Sequence, residues 1–134
     1  LTDQWKSHGV EQGKEFAILT DEVTRAWSGM STRQYKNLKG LKKENLRDNM
    51  STLELALNML AEATTTELTK TSNPIGLSEN RKVAQEGGTI AGNARKEIEE
   101  RTGQPVITSQ NAKQLQNLVT GLIEGVVVEE DDKE

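Results

Sequence analysis

The chain contains no cysteine and a single histidine, His8. Disulfides and thiolate metal sites are therefore excluded, and zinc or iron would lack a pair of imidazoles. One Phe and one Tyr leave an aromatic platform for stacking single-stranded bases poorly supplied. No apolar run approaches the roughly 20 residues that span a bilayer, and no signal-peptide pattern opens the chain. Leu, Ile, Val and Phe together make 29 of 134 residues, just above the roughly one-fifth below which disorder becomes the better expectation. A thin core, an extended helical shape, or burial completed by a partner is expected. The length is that of one domain, and an opening Leu1 in place of Met reads as a fragment or a processed chain.

What is present is unevenly spread charge. Residues 33 to 47 hold Arg33, Lys36, Lys39, Lys42, Lys43 and Arg47 against one Glu44, whereas Glu124, Glu129, Glu130, Asp131, Asp132 and Glu134 face only Lys133 at the other end. Six cations on one short element can neutralise DNA phosphates without reading sequence, although a plain solvated face has the same composition. The acidic end, 124 to 134, is expected to be a disordered tail, and in one reading it mimics nucleic acid and competes for the basic cluster.

Helix signals recur between these poles. Thr20 precedes acids that suit a first turn, and Gly29 supplies a stop, giving a helix over 20 to 28. Ser31 with Gln34 and Ser51 with Glu54 have the spacing of capping boxes, opening helices over 31 to 39 and 51 to 71, with a short helical piece between them in "KKENLRD". In the last of these, Leu53, Leu57, Leu60, Ala61 and Leu68 recur at three- and four-residue steps, so it is expected to be the central core helix with those residues buried. Pro74 ends it in a turn. Ser78 can cap and Gly103 can stop a further helix, and "SQNAKQLQNLVTGLI" reads as another. "QPVIT" and "GVVV" are strand candidates. The fold class is mainly α, with five or six amphipathic helices and at most a minor two-stranded β element near 105–108 and 126–128. One helical domain over residues 1 to 123 follows.

Glycine spacing at "EGGTIAGN" excludes the two common phosphate cradles. Gly88, three residues, Gly92 and Asn93 do not make a P-loop, and no strand precedes them for a dinucleotide fingerprint. Ala84, Gly88, Ala91 and Gly92 instead share a helix face on which another backbone, from this chain or a partner, can come close. The other reading makes Gly87 and Gly88 a hinge between two helices. "LTDEVTRAWSGMSTRQYKNL" has the outline of a helix-turn-helix, but Arg25 and Ser28 stand where a small and an apolar residue are usual. His8, Ser7 and Asp3 are neighbours in sequence only, which does not make a triad. Trp5 and Trp27 are expected to be core or interface anchors. No active site assembles from these residues, and no cofactor, metal or small-molecule substrate is expected.

"LKGLKKENLRDNMSTLELALNMLAEATTTELTK", then "NP" and "EN", then "GGTIAGNARKEIEERTGQPVITSQN" resemble the C-terminal region of the DNA-damage-inducible protein D (DinD) family, from about Leu1 through Asn111. The most specific portions are 43 to 55 and 87 to 103, and nothing after Leu115 contributes. The resemblance implies an N-terminal BRO-type domain ahead of this region, as in prophage antirepressors, and a role in the bacterial SOS response, where the namesake modulates the RecA filament. It carries no catalytic residue set. The expectation is a cytoplasmic, bacterial or phage-encoded, non-catalytic regulatory module. It would contact a protein, either a recombinase filament or a repressor, or itself. Nucleic-acid binding through residues 33 to 47 is the alternative.

Overall fold

The computed structural model describes residues 1 to 111, and the elements expected beyond them, including the helix running to 123, the strand at 126–128 and the acidic tail, lie outside that range. Five α-helices are described: α1 (Thr2–Ser7), α2 (Lys14–Ser28), α3 (Thr32–Leu38), α4 (Thr52–Ser72) and α5 (Gly76–Thr102), with a 3-10 turn at Arg47–Asn49 between α3 and α4. No strand occurs among the described residues.

Both capping boxes form. Ser31 accepts from the Gln34 amide while Gln34 accepts from the Ser31 amide, and Ser51 and Glu54 repeat the exchange at the start of α4. Each box satisfies two amide donors that a helix start leaves free. Gly29 stops α2 at φ 79°, a left-handed position that suits glycine. Asn73 closes α4 in the same region, and the chain turns over Pro74 directly into α5. Two boundaries differ from the sequence expectation. α2 begins at Lys14, six residues before Thr20, because Phe16, Leu19, Val23 and Trp27 continue one apolar face. α5 begins ahead of Ser78, at Gly76, with Ile75 as its N-cap residue and the Glu79 carboxylate taking the Ile75 amide (2.5 Å).

α2 and α4 both pack along α5, so the central helix is α5 and not the leucine-rich α4. The glycines are the cause. A Cβ on Gly87 would run into the Thr65 hydroxyl and stand 2.8 Å from the Thr65 backbone. One on Gly88 would meet the Ala26 methyl and, at 2.8 Å, the Val23 carbonyl; one on Gly92 would lie 2.7 Å from the Ala26 carbonyl. Gly87 thus admits α4, and Gly88 with Gly92 admits α2. Close packing of two backbones offsets the roughly 1 kcal/mol that each helical glycine costs relative to alanine. The hinge reading fails because α5 runs unbroken through all three.

The core joins Trp5, Val10, Leu19, Val23, Trp27, Tyr35, Leu41, Leu46, Leu57, Ala61, Ala84 and Ala91 to Val106. Polar side chains complete it. Thr65 and Thr69 are fully buried, and each hydroxyl donates to the carbonyl four residues back (2.7 Å). Burying them therefore strands no donor.

Candidate interaction surfaces

The six basic residues of segment 33–47 do not form one surface. Lys39 is interior: 1% exposed, it donates to Glu54 Oε2 (2.9 Å) and to the carbonyls of Thr108 (2.9 Å) and Gln110 (2.6 Å). Arg47 is exposed but paired with Glu62 (3.1 Å). Arg33, Lys42 and Lys43 are exposed and Lys36 is half-buried, and none of these four is in a salt bridge among the described residues. Lys39 leaves the candidate phosphate-binding set because its ammonium is already fully used inside the protein. Glu44 is turned onto the segment's own backbone. The Lys42 amide (2.6 Å) holds its carboxyl below the usual value.

Glu54 is the other half of the interior node. Its side chain is 0% exposed and its two oxygens accept from four donors: the Tyr35 hydroxyl (2.8 Å), the Thr108 amide (3.2 Å), the Lys39 ammonium and the Ser51 amide (2.6 Å). A buried charge pair survives only where nearly every remaining donor and acceptor is met, and here they are. Burial, with the Glu54 charge beside it, pushes the Tyr35 phenol well above its ordinary value. The same node fastens residues 106 to 111. Val106 donates to Glu99 (3.0 Å), Thr108 to Glu54, and the Asn111 amide to the Lys39 carbonyl (2.9 Å). Segment 105–108, a strand candidate in the sequence, has its backbone bonded instead to side chains of α4, α5 and Lys39 just after α3.

The small residues Ala84, Gly88, Ala91 and Gly92 are all buried, against α2 of the same chain at both glycines. The amides of residues 87 to 92 lie inside a continuous helix. Arg95, one turn beyond Gly92, donates to the Trp27 carbonyl (2.8 Å) and to Glu99 (2.7 Å). That arrangement joins helices; it presents no cradle.

α4 offers a different face. Leu53, Met59 and Leu60 are 40%, 51% and 41% exposed, and Ala56 and Ala63 beside them are exposed as well. Its buried face carries Glu54, Leu57, Asn58, Ala61, Thr65 and Thr69. The expectation that Leu53 and Leu60 are core residues is thus corrected, while Leu57 and Ala61 are buried and Leu68 is half-buried. Small and threonine side chains fit against Gly87 where a leucine would hold the helices apart. The remaining polar contacts are structural. Asn58 accepts from the Trp27 indole (3.1 Å) and donates to Glu62 (2.8 Å), while Glu22 joins α2 to Arg81 (3.0 Å) and Gln85 (2.7 Å) of α5.

Comparison with known proteins gives a family model, the DinD C-terminal domain, that matches residues 1 to 117. The chain belongs to the DinD C-terminal domain family. No curated protein and no solved structure matches it. The family match spans every element described above, so the Lys39–Glu54 node, the glycine face and the outward leucines all lie in the DinD domain. Of these, sequence reading found the glycine face and the box at Ser51–Glu54; it missed the pairing of Glu54 with Lys39. The signal was an acid and a lysine on separate helices with no local spacing to connect them. Among the described residues, no three His, Asp or Glu side chains cluster to hold a metal, and no helix is long and apolar enough to cross a membrane.

Proposed function

We propose that this DinD-family domain is a non-catalytic regulatory module of the bacterial DNA-damage response that works by protein contact, and that the outer face of α4 is the contact surface. The observation that carries this is the inverted amphipathicity of α4. Leu53, Met59 and Leu60 stand half in solvent while Glu54, Asn58, Thr65 and Thr69 are buried. Leu53, Ala56, Leu60 and Ala63 follow a three-four-three spacing, the seam by which one helix packs on another. Its natural complement is an amphipathic helix on a recombinase filament or a repressor, the cytoplasmic partners that the DinD resemblance implies. The test is co-sedimentation with recombinase filaments formed on single-stranded DNA, using the chain and its Leu53→Glu/Leu60→Glu variant. The chain should sediment with the filament and the variant should not, at an unchanged melting temperature. Equal sedimentation of both, or of neither, contradicts the reading.

A second reading rests on Arg33, Lys36, Lys42 and Lys43, the four cations of the segment without a salt bridge among the described residues. Four phosphate contacts give weak, steeply salt-dependent binding. A fluorescent-DNA titration would show a log–log salt slope that falls when Lys42 and Lys43 are neutralised together. Absence of binding at low salt excludes it.

A further inference from the structure

The outer face of α4 has an order beyond its exposed leucines. Leu53, Ala56, Leu60, Ala63, Glu67 and Lys70 are all exposed and follow three- and four-residue steps, a seam about 25 Å long. Asn58 and Thr65, on the opposite side of the helix, are buried. α4 packs on α1, α2 and α5 and leaves the seam open among the described residues. At its far end Glu67 and Lys70 pair with each other (3.5 Å). That end is therefore charged but locally balanced.

Such a seam is complementary to itself in one direction only. Run antiparallel about a two-fold axis between Leu60 and Ala63, two copies set Leu60 against Ala63, Ala56 against Glu67 and Leu53 against Lys70. Every leucine then meets an alanine or the aliphatic stem of a lysine, and the charged groups reach past it to water. Run parallel, the same seam sets leucine on leucine, alanine on alanine, Glu67 on Glu67 and Lys70 on Lys70. Large side chains then crowd, small ones leave gaps, and like charges oppose.

We propose that a second copy of this chain packs antiparallel on the outer face of α4, so that the domain masks its own contact surface until a partner helix displaces that copy. The proposal rests on the reading of this face as the contact surface and adds its regulation. Two single helices along such a seam bury less than the roughly 1,200 Å² of a stable association. The pair is accordingly weak and exchanging, as a surface that must open to a partner requires.

The chain has no cysteine, which makes the pairing directly readable. Leu53→Cys and Lys70→Cys chains, distinguished by mass, are mixed under mild oxidation. The mixed disulfide should form at least tenfold faster than either like-with-like disulfide, because only opposed positions bring the two Cβ atoms within reach. Sedimentation equilibrium of the parent chain over a dilution series should show monomer passing to dimer. Ala63→Glu, an exposed change at the centre of the seam, should weaken this by tenfold or more at unchanged helix content. The disulfide-linked pair should fail to sediment with recombinase filaments that the reduced chains bind. A parent chain that stays monomeric, like-with-like disulfides in excess, an Ala63→Glu chain that pairs as well, or a linked pair that sediments like the reduced chains overturns the proposal. Filament binding by a chain that never pairs overturns the proposal alone. Pairing with no filament binding, linked or reduced, upholds the second copy on α4 and overturns the recombinase reading instead.

Discussion

α4 and α5 lie side by side and treat their residues in opposite ways. α5 is the more polar helix and carries three interior glycines, yet it is the one that α2 and α4 both pack along. α4 is rich in leucine, yet it turns Leu53 and Leu60 outward and buries Glu54, Asn58, Thr65 and Thr69. Backbone proximity explains the inversion. Against Gly87 there is space only for Thr65, whose hydroxyl is satisfied by its own helix, so the threonine side of α4 faces inward. Hydrophobicity alone would have ranked the faces the other way.

The comparison breaks most visibly at Gly87. Gly87→Val places methyl groups where the Thr65 backbone stands, and a loss of more than about 4 kcal/mol is expected in denaturant unfolding, because no rotamer relieves a clash with main chain. Lys39→Met comes next. It leaves the buried Glu54 carboxylate without its counter-charge and frees the Thr108 and Gln110 carbonyls, at a cost of about 3 kcal/mol, read by the same measurement. Protection of the Thr108 amide from hydrogen exchange should fall with it. Thr65→Leu sharpens the point, since it makes the inner face of α4 more hydrophobic and should still destabilise by about 2 kcal/mol through overpacking against Gly87. A variant as stable as the parent would show that the helices can separate at no cost.

The smallest effect concerns pH. The folded protein keeps Tyr35 protonated above its ordinary value of 10.0, so folding favours the neutral phenol. The stability this contributes is complete below pH 10 and declines as the pH rises above it, where the unfolded chain ionises first. Tyr35→Phe should flatten that alkaline decline in a series of melting curves, whereas an equally steep decline would place its origin elsewhere.

Local signals were legible in the sequence wherever a few neighbouring residues decide the outcome. Ser31–Gln34 and Ser51–Glu54 define helix starts through bonds three residues apart, and Gly29, Pro74 and Gly103 mark stops or turns for backbone reasons. The small face at Ala84, Gly88, Ala91 and Gly92 was visible as a packing surface, but not which chain would meet it, because that depends on the path of α2. What stayed hidden is long-range. Lys39 reads as one of six cations until the fold brings Glu54, Thr108 and Gln110 around it. The leucines of α4 read as core because period alone cannot tell a buried stripe from an exposed one on a helix that has both. Trp5, Val23, Leu46 and Met50, which line one groove, come from three segments, and no spacing rule connects them.

The assignment of the two faces of α4 is tested most directly by the denaturation midpoint of a Leu53→Ser/Leu60→Ser variant. With both side chains half in solvent, the predicted loss is within about 0.5 kcal/mol per site. A loss of about 2 kcal/mol or more at each, as for leucines packed in a core, would contradict it.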